Sequence, residues 1–227
     1  ETAGILRQAA SEKLSTAQET KKAQIEEFFH NCLSNITVIS NNSSVIDALF
    51  HFGTAIDESG NLDEGRYDYY ENELGNSLKQ FISAYGYHNL ALITKKGKIV
   101  YTFNREADLG QNVVTGRLKD TAIAKCFQKG LQNPVIQDFE RYLPSGNQYV
   151  CFIGAPLVYE EEPAGVVIIK LKKDPVNTIV QRRKGFGKTG ETYLVGKSDG
   201  NFAHRSDRII YEGKFGDTVP GTLEKVF

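Results

Sequence analysis

The sequence contains no tryptophan, no methionine and only three cysteines in 227 residues. The cysteines, Cys32, Cys126 and Cys151, show no CxxC spacing, which argues against structural zinc and against a disulfide framework. The spacing leaves two alternatives, which are three buried free thiols or a single Cys126–Cys151 bridge. The four histidines are scattered without HxH or HExxH spacing, so we expect no metal site and no cofactor.

Charge and hydropathy exclude two further classes of protein. The net charge is −1, so the chain offers no basic surface to nucleic acid. No run approaches the roughly 20 consecutive apolar residues that a membrane-spanning helix needs. The chain opens on Glu1 and shows no signal peptide, so we expect a fragment of a longer protein, with one large domain or two smaller ones.

One glycine-rich stretch, GFGKTGETYLVG at 185–196, invites comparison with a phosphate-binding loop. Such a loop needs Gly, four residues and then Gly-Lys-Ser/Thr, placed between a strand and a helix. Counting back from Gly187 places Arg182 where the first glycine should stand, and the expected order of elements is reversed. We expect the glycines instead to provide flexible backbone between a helix and a strand at 192–195.

Residues 1–40 are predicted to form one long helix, with no proline and a single glycine. The first half is mostly polar, whereas the second half carries an apolar face with spacings of three and four. That face consists of Ile25, Phe28, Phe29, Cys32, Leu33, Ile36 and Ile39. A first half without a packing face either frays or pairs with a partner helix, and we favour a dimer stalk.

The chain after residue 40 changes from helical to strand-like patterns. A short helix is predicted at 45–50, and a second helix has an apolar face made of Tyr70, Leu74, Leu78, Phe81, Ile82 and Tyr85. Five strands are predicted at 89–94, 99–103, 135–141, 148–157 and 165–171, with a helix at 118–131 between the second and third. This order predicts an α+β module with a five-stranded antiparallel sheet. A helix from Asp174 then leads to a second set of strands that begins at Glu191.

Three stretches carry a family resemblance: GKIVYTFNREADLGQNVVTGRLKDTAIAKCF (97–127), DFERYLPSGNQYVCFIGAPLVYEEEPAGVVIIKL (138–171) and GFGKTGETYLVGKSDGNFAHRSDR (185–208). Together with the element order, they resemble the double Cache sensor domain of bacterial and archaeal chemoreceptors and sensor kinases. The third stretch is similar to the family form GETGETYLVG…DG…RSD, from which Lys188 and His204 depart.

The resemblance implies a PAS-like distal module at 41–174 behind a stalk helix at 1–40. It also implies a linker helix and a truncated membrane-proximal module at 175–227. The implied function is a non-enzymatic, ligand-binding sensor domain in the periplasm or outside the cell. It would belong to a membrane receptor of the methyl-accepting chemoreceptor type and form a homodimer through the N-terminal helix. The alternatives are the input domain of a sensor histidine kinase or cyclase, and a PAS-like enzyme or cofactor-binding module.

No catalytic set is predicted from the residues. His204, Ser206 and Asp207 are neighbours on one segment, whereas the members of a catalytic triad must converge from separate elements. The carboxylates at 57–64 form a run that is typical of a solvated loop.

Ligand binding has more support than catalysis, because the distal strands hold a dense mixture of aromatic and polar side chains. The loop at 104–117, with Arg105, Asp108 and Arg117, is expected to close over the sheet as a lid. The predicted ligand-binding residues are Tyr101, Phe103, Arg105, Arg117, Asp138, Tyr149 and Phe152.

Asp138 is central to this prediction because it lies mid-strand among apolar residues, where an unpaired carboxylate would be costly. It is expected to have either a structural partner such as Arg141 or a ligand. In the amino-acid-binding branch of the family, an Arg-x-Trp-Tyr motif clamps the ligand carboxylate, and a strand aspartate near the position of Asp138 holds the ammonium. The motif is absent between 104 and 134. The resemblance therefore disfavours ordinary α-amino acids and leaves a small amine, or a small carboxylate read by Arg105 or Arg117.

Overall fold

A computed structural model describes residues 2–198 and 200–219 of the chain. The chain divides into two compact units. The larger unit is Asn31–Lys172, and the smaller unit combines the chain up to His30 with the chain from Lys173 onward. Residues 220–227 of the predicted proximal module lie outside the described part, and the domain boundaries inferred from the sequence stay a prediction.

The N-terminal helix, α1, runs over Thr2–Ser40 and confirms the long helix expected at 1–40. Its first half is exposed along its length, including the apolar side chains of Ile5, Leu6 and Leu14. Burial begins within the larger unit, where Cys32, Ile36 and Ile39 lose nearly all contact with solvent. Among the described residues, no helix combines the length and the hydropathy that crossing a bilayer requires.

Three helices follow: α2 at Ser43–Thr54, α3 at Glu64–Glu73 and α4 at Gly75–Tyr85. The side chain of Asn42 accepts a hydrogen bond from the amide of Ser44 and so caps α2. The side chain of Asp63 caps α3 in the same way. The single helix expected to carry Tyr70–Tyr85 is therefore two helices, which are interrupted at Leu74.

The five-stranded sheet is antiparallel throughout, as predicted. Its strands are β1 at Asn89–Thr94, β2 at Ile99–Thr102, β3 at Val135–Tyr142, β4 at Gln148–Tyr159 and β5 at Glu162–Lys172. The spatial order is β2-β1-β5-β4-β3, so β5 lies in the centre. This position explains why the run GVVIIKL is buried on both faces of the sheet.

The two faces of the sheet pack against different helices. One face contacts α5, at Ala122–Gly130, through a core that includes Ile93, Ile123, Phe127, Phe152 and Ile168. The opposite face contacts α2, where the ring of Phe52 lies 4.7 Å from the ring of Tyr101. The α5 face is the one that carries the polar side chains considered below.

The three cysteines are buried free thiols. Cys126 lies on the α5 side of the sheet, where its sulfur adjoins Gly154. Cys151 is three residues before Gly154 in β4, so strand alternation directs its side chain to the other face. A Cys126–Cys151 bridge, which the sequence left open, is not formed. Burial raises the pKa of the Cys126 thiol to about 12 and also raises the pKa of Cys32 and Cys151.

The smaller unit contains α6 at Asp174–Val180 and a hairpin of β6 at Val195–Ser198 with β7 at Asn201–His204. The strand expected at 192–195 begins only at Val195. The Thr192 hydroxyl donates to the carbonyl of Val180, and the Leu194 amide donates to the Ser206 hydroxyl. Thr192 is therefore bonded outside the hairpin, whereas Leu194, whose carbonyl accepts from the Arg205 amide, continues the pairing by one residue.

The glycine-rich stretch does not form a phosphate cradle. The guanidinium of Arg183 donates hydrogen bonds to the carbonyl oxygens of Gly187, Lys188 and Gly190. The loop thus directs acceptors toward a cation, whereas a phosphate needs converging N–H donors. This arrangement agrees with the rejection of a nucleotide site from the sequence.

Candidate functional site in the larger unit

A lysine lies on the α5 face of the sheet without any exposure to solvent. Lys170, in β5, stands directly opposite Asn89 of β1 and Phe152 of β4. The apolar residues around it in β5 are buried as well. A charged ammonium in such a position is costly unless it is paired and hydrogen-bonded.

The pairing comes from the loop between β2 and α5, residues 103–121. The Lys170 ammonium lies 2.8 Å from Oε2 of Glu106 and 2.6 Å from Oδ2 of Asp108. It also lies 5.2 Å from the centre of the Tyr142 ring, which is within cation–π range. Two carboxylates and an aromatic ring therefore surround one buried cation.

Glu106 has further partners of its own. The Ser145 hydroxyl donates to its Oε2 at 2.9 Å, and Nε2 of His88 lies 3.3 Å from its Oε1. Burial alone would raise the pKa of Glu106. The hydrogen bond from His88 and the interaction with Lys170 outweigh it and hold that pKa at about 2. Glu106 is thus ionised over the whole physiological pH range.

Asp108 is fully buried and incompletely paired. The Tyr142 hydroxyl donates to its Oδ2 at 2.6 Å, but its Oδ1 has no hydrogen-bond partner. The Asn89 side chain likewise has a buried Nδ2 without a partner. Burial, followed by the negative charge of Asp108, raises the pKa of Tyr142, so its phenol stays a donor. One acceptor and one donor are therefore left unused beside Lys170.

We call these seven residues the Lys170 cluster: His88, Asn89, Glu106, Asp108, Tyr142, Ser145 and Lys170. The loop that supplies the carboxylates is also held by backbone bonds along β2. The Gly110 amide donates to the carbonyl of Ile99, and the Val113 amide donates to the carbonyl of Gly97. The loop expected to act as a lid therefore runs along the edge of the sheet beside β2, and its carboxylates Glu106 and Asp108 reach Lys170.

Similar solved structures share this architecture. The sensor domain of the V. cholerae histidine kinase DctB matches with a TM-score of 0.52 and 16% identity, over 76% of this chain and 61% of that one. The ligand-binding domain of the Campylobacter jejuni chemoreceptor Tlp3, in complex with 4-methylisoleucine, matches with a TM-score of 0.52 and 12% identity. The match covers 81% of this chain and 80% of that one. The ligand-binding domain of the Pseudomonas fluorescens chemoreceptor CtaA, in complex with L-leucine, matches with a TM-score of 0.50 and 11% identity. The match covers 78% of this chain and 62% of that one.

The chain has a Cache-type fold. The resemblance inferred from three stretches of sequence is thereby confirmed for the fold, at identities too low to carry a function across. The chain spans less than two thirds of the DctB and CtaA structures that it matches. No protein-family model matches the sequence, and no curated protein sequence matches it significantly.

Two of the predicted ligand-binding residues lie at the Lys170 cluster of this Cache-type sheet. The ring of Phe152 meets the ring of Tyr142 edge-on at 5.0 Å, directly beside Lys170. Arg117 is exposed, and its positive charge acts on the phenol of Tyr142.

Three other predicted residues lie on or toward the opposite side of the sheet. Tyr101 is fully buried against Phe52, and Phe103 is half-buried just after β2. The guanidinium of Arg105 lies over the ring of Tyr67 at 4.7 Å. It also pairs with acidic side chains of α3, namely Glu64, Asp68 and Glu71. Arg105 therefore fastens the start of the loop to α3.

The expectation that Asp138 is buried among apolar residues is wrong. The register of β3 against β4 shifts between Gln137 and Glu140, and this bulge turns Asp138 toward solvent. Its Oδ1 accepts a hydrogen bond from the amide of Phe139. Tyr149 is half-buried under the guanidinium of Arg141. Whether either residue contacts a ligand stays a prediction.

Sequence reasoning missed Lys170, Glu106 and Tyr142. One signal was available, because Lys170 interrupts an otherwise apolar run in a strand that was correctly predicted. The partners of Lys170 had no such signal, since Glu106 and Asp108 lie in an irregular loop. Within the described residues, no group of histidine, cysteine and carboxylate side chains has the geometry of a metal site.

The smaller unit has a cavity of about 290 Å³ lined by Tyr193, His204, Arg208, Glu212, Gly213, Asp217, Thr218 and Val219. His204 is buried, and its Nδ1 has no hydrogen-bond partner. Burial and then the charge of Arg208 lower the pKa of His204, so the imidazole is neutral near pH 7. Arg208 stacks between Tyr193 and Tyr211 and pairs with Glu191.

Proposed function

We propose that the chain is the ligand-binding sensor domain of a transmembrane signalling receptor, exposed outside the cytoplasmic membrane. A receptor of the methyl-accepting chemoreceptor type is the version we favour. The Cache-type fold supports this proposal, and the similar structures from Tlp3 and CtaA are described as chemoreceptor ligand-binding domains. The Lys170 cluster is the observation that carries it. Unsatisfied buried donors and acceptors are rare in folded proteins, and a bound water, ion or small molecule can satisfy them.

The Lys170 cluster lies where the sheet meets the loop at 103–121, so a ligand bound there can change how these two elements are arranged. A small molecule that bonds to the cluster contacts both the sheet and the loop at 103–121, and so favours one arrangement of these elements over another. We propose that this preference displaces the long helix α1, which forms a homodimer with its counterpart and continues toward the membrane. Only a difference in ligand affinity between the two arrangements is required.

Two alternatives to the chemoreceptor remain. In one, the sensor domain controls a different output domain; in the other, the protein is an enzyme. The first alternative is the input domain of a sensor histidine kinase or a cyclase, and the DctB structure, described as a histidine kinase sensor domain, supports the kinase. An enzyme of PAS-like architecture has less support, because the ionised groups of the Lys170 cluster are bonded to one another. None of them is arranged as a nucleophile beside a free base.

A thermal-shift screen against a panel of small metabolites tests the proposal. A ligand at 100 times its dissociation constant adds about 2.7 kcal/mol to the free energy of unfolding, which a melting curve resolves readily. If no compound shifts the melting temperature of the folded protein, a ligand-sensor role is contradicted.

Two variants then locate the site. Asn89→Asp keeps the Oδ1 acceptor but removes the unused N–H donors, and should reduce the ligand-induced shift. Asp138→Ala alters an exposed side chain at the bulge and should leave the shift intact. The opposite result, with the shift lost in Asp138→Ala and kept in Asn89→Asp, would place the ligand where the sequence predicted it.

A further inference from the structure

The Lys170 ammonium is enclosed as completely as a bound cation would be. Its side chain has no exposed surface, and its two carboxylate partners are 12% and 0% exposed. The third side of the ammonium meets the face of the Tyr142 ring. Carboxylates and an aromatic face are the groups that proteins use to hold a ligand ammonium. Here the chain supplies the cation itself.

The two carboxylates belong to one short segment. Glu106 and Asp108 are two residues apart, and both reach the same nitrogen atom. The backbone turns around them, since the Leu109 amide donates to the Glu106 carbonyl and the Gln111 amide donates to the Asp108 carbonyl. The conformation of this segment is therefore tied to a cation in this position.

After this pairing, the cluster retains one unused acceptor and one unused donor, Oδ1 of Asp108 and Nδ2 of Asn89. Both groups border Lys170, because Asn89 faces it across the strand pair and Asp108 is bonded to it. A neutral hydroxyl or amide group has both the donor that the first needs and the acceptor that the second needs. An ionised carboxylate has no proton to give to Asp108, and a second ammonium would meet the charge of Lys170.

We propose that Lys170 is a tethered ammonium that occupies the cation position of the site, so that the site excludes amines and α-amino acids and selects neutral hydroxyl or amide compounds. This inference rests on the proposed sensor function for the existence of a ligand, but not for the role of Lys170. The lysine holds the segment at 106–108 against the sheet. The ligand forms hydrogen bonds with the two groups that the lysine leaves unpaired, Oδ1 of Asp108 and Nδ2 of Asn89.

The test is chemical rescue of Lys170→Ala with n-propylamine, which replaces the three carbons and the nitrogen that the substitution removes. Lys170→Ala should melt at a lower temperature than the wild-type protein, and n-propylamine should restore the melting temperature in a saturable way. At 100 times its dissociation constant the amine shifts the unfolding equilibrium about 100-fold. The wild-type protein should show no shift with the same amine.

Three controls separate charge, shape and filling of the space. n-Propanol has the shape of the amine without the charge, and tetramethylammonium has the charge without N–H donors, so both should restore much less. Lys170→Met fills the space with an uncharged chain and should not respond to n-propylamine. Equal responses of Lys170→Ala to n-propylamine and tetramethylammonium, or a wild-type protein stabilised by n-propylamine, would overturn the proposal.

A second measurement covers the case in which Lys170→Ala does not fold. Hydrogen exchange of the amides of Leu109 and Gln111 should be faster in Lys170→Met than in the wild-type protein, because the carboxylates have lost their cation. Unchanged exchange there would contradict the role of Lys170. An amine or α-amino acid found to bind the wild-type protein would refute the inference and leave the sensor proposal standing. If no compound in the metabolite panel binds, the sensor proposal is contradicted. The role of Lys170 is then still tested, because the rescue experiment does not need a natural ligand.

Discussion

The ammonium nitrogen of Lys170 and Oδ2 of Asp108 lie 2.6 Å apart, and neither side chain has any exposed surface. Each charge is therefore offset in the interior by the other, together with Glu106 beside Lys170 and the Tyr142 hydroxyl beside Asp108. Removing one partner of such a pair typically costs about 3–5 kcal/mol, because the remaining charge is buried without compensation. This mutual dependence distinguishes the pair from the exposed ion pairs of the same unit, such as Lys95 with Glu162.

The hydroxyl of Tyr142 should contribute measurably to stability. Tyr142→Phe removes the hydrogen bond to Asp108 and should lower the free energy of unfolding by about 1–3 kcal/mol. Tyr101→Phe is a matched control, because Tyr101 is equally buried but its hydroxyl has no partner. Urea unfolding of both variants checks the prediction. A loss in Tyr101→Phe as large as that in Tyr142→Phe would contradict it.

Glu106 should make the protein sensitive to acid in a defined range. Its pKa is about 2 in the folded protein and 4.5 when unperturbed, so the unfolded chain binds the proton first as the pH falls. The stabilisation is complete above about pH 4.5 and is lost between there and about pH 2, with a total of about 3 kcal/mol.

Denaturant unfolding of the wild-type protein and of Glu106→Gln across this range measures the effect. The difference between the two proteins should shrink as the pH falls. Glu162→Gln is the control, since its ion pair with Lys95 lies in solvent and should matter little at any pH. A constant difference for Glu106→Gln would show that its charge is not what stabilises the fold.

His204 should govern stability in a second, higher range of pH. Burial and the charge of Arg208 lower its pKa below 6.5, so the unfolded chain binds a proton more readily than the folded protein. The stabilisation is present above about pH 6.5 and declines as the pH falls through and below that value. His204→Gln should flatten the decline between about pH 7 and pH 5, whereas His30→Gln, at an exposed position in the second half of α1, should not.

The first half of α1 should mediate a weak association between two copies of the chain. Leu6 and Leu14 are 67% and 59% exposed, although both are large apolar residues. Replacing both with glutamate should reduce the dimer seen by sedimentation equilibrium, because like charges would meet in a parallel helix pair. Val38→Glu is the control, since Val38 is equally exposed but lies near the other end of α1. A strict monomer in the wild-type protein would contradict the expected stalk.

Regular elements with strong local signals could be predicted from the sequence. Strand β1 has the predicted bounds, because a glycine turn at 95–98 ends it and its apolar run is uninterrupted. Helix α1 was also predicted, since its second half repeats apolar residues at helical spacing. The break at Leu74 was not, because residues on both sides of it continue the same periodicity and tertiary packing decides where one helix ends.

The site was harder to predict than the fold because its residues come together only in the tertiary structure. Asp138 was assigned to the interior because it lies mid-strand among apolar residues, and a single extra residue at the bulge turns it toward solvent. Glu106 and Asp108 were assigned to a loop, and nothing in a loop sequence states which carboxylate turns inward. Lys170 links these two problems, since its burial follows from strand order and its partners follow from the path of the loop.

The three buried thiols have a consequence for the compartment in which the proposed receptor domain would reside. Outside the cytoplasm, thiols are exposed to oxidants that act through the thiolate form. With a pKa of about 12, only roughly one Cys126 thiol in 10⁵ is ionised near neutral pH. Cys126 and Cys151 are also separated by the sheet itself. The domain can therefore keep unpaired cysteines in an oxidising environment, because protonation and the intervening strands protect them in place of a reducing buffer.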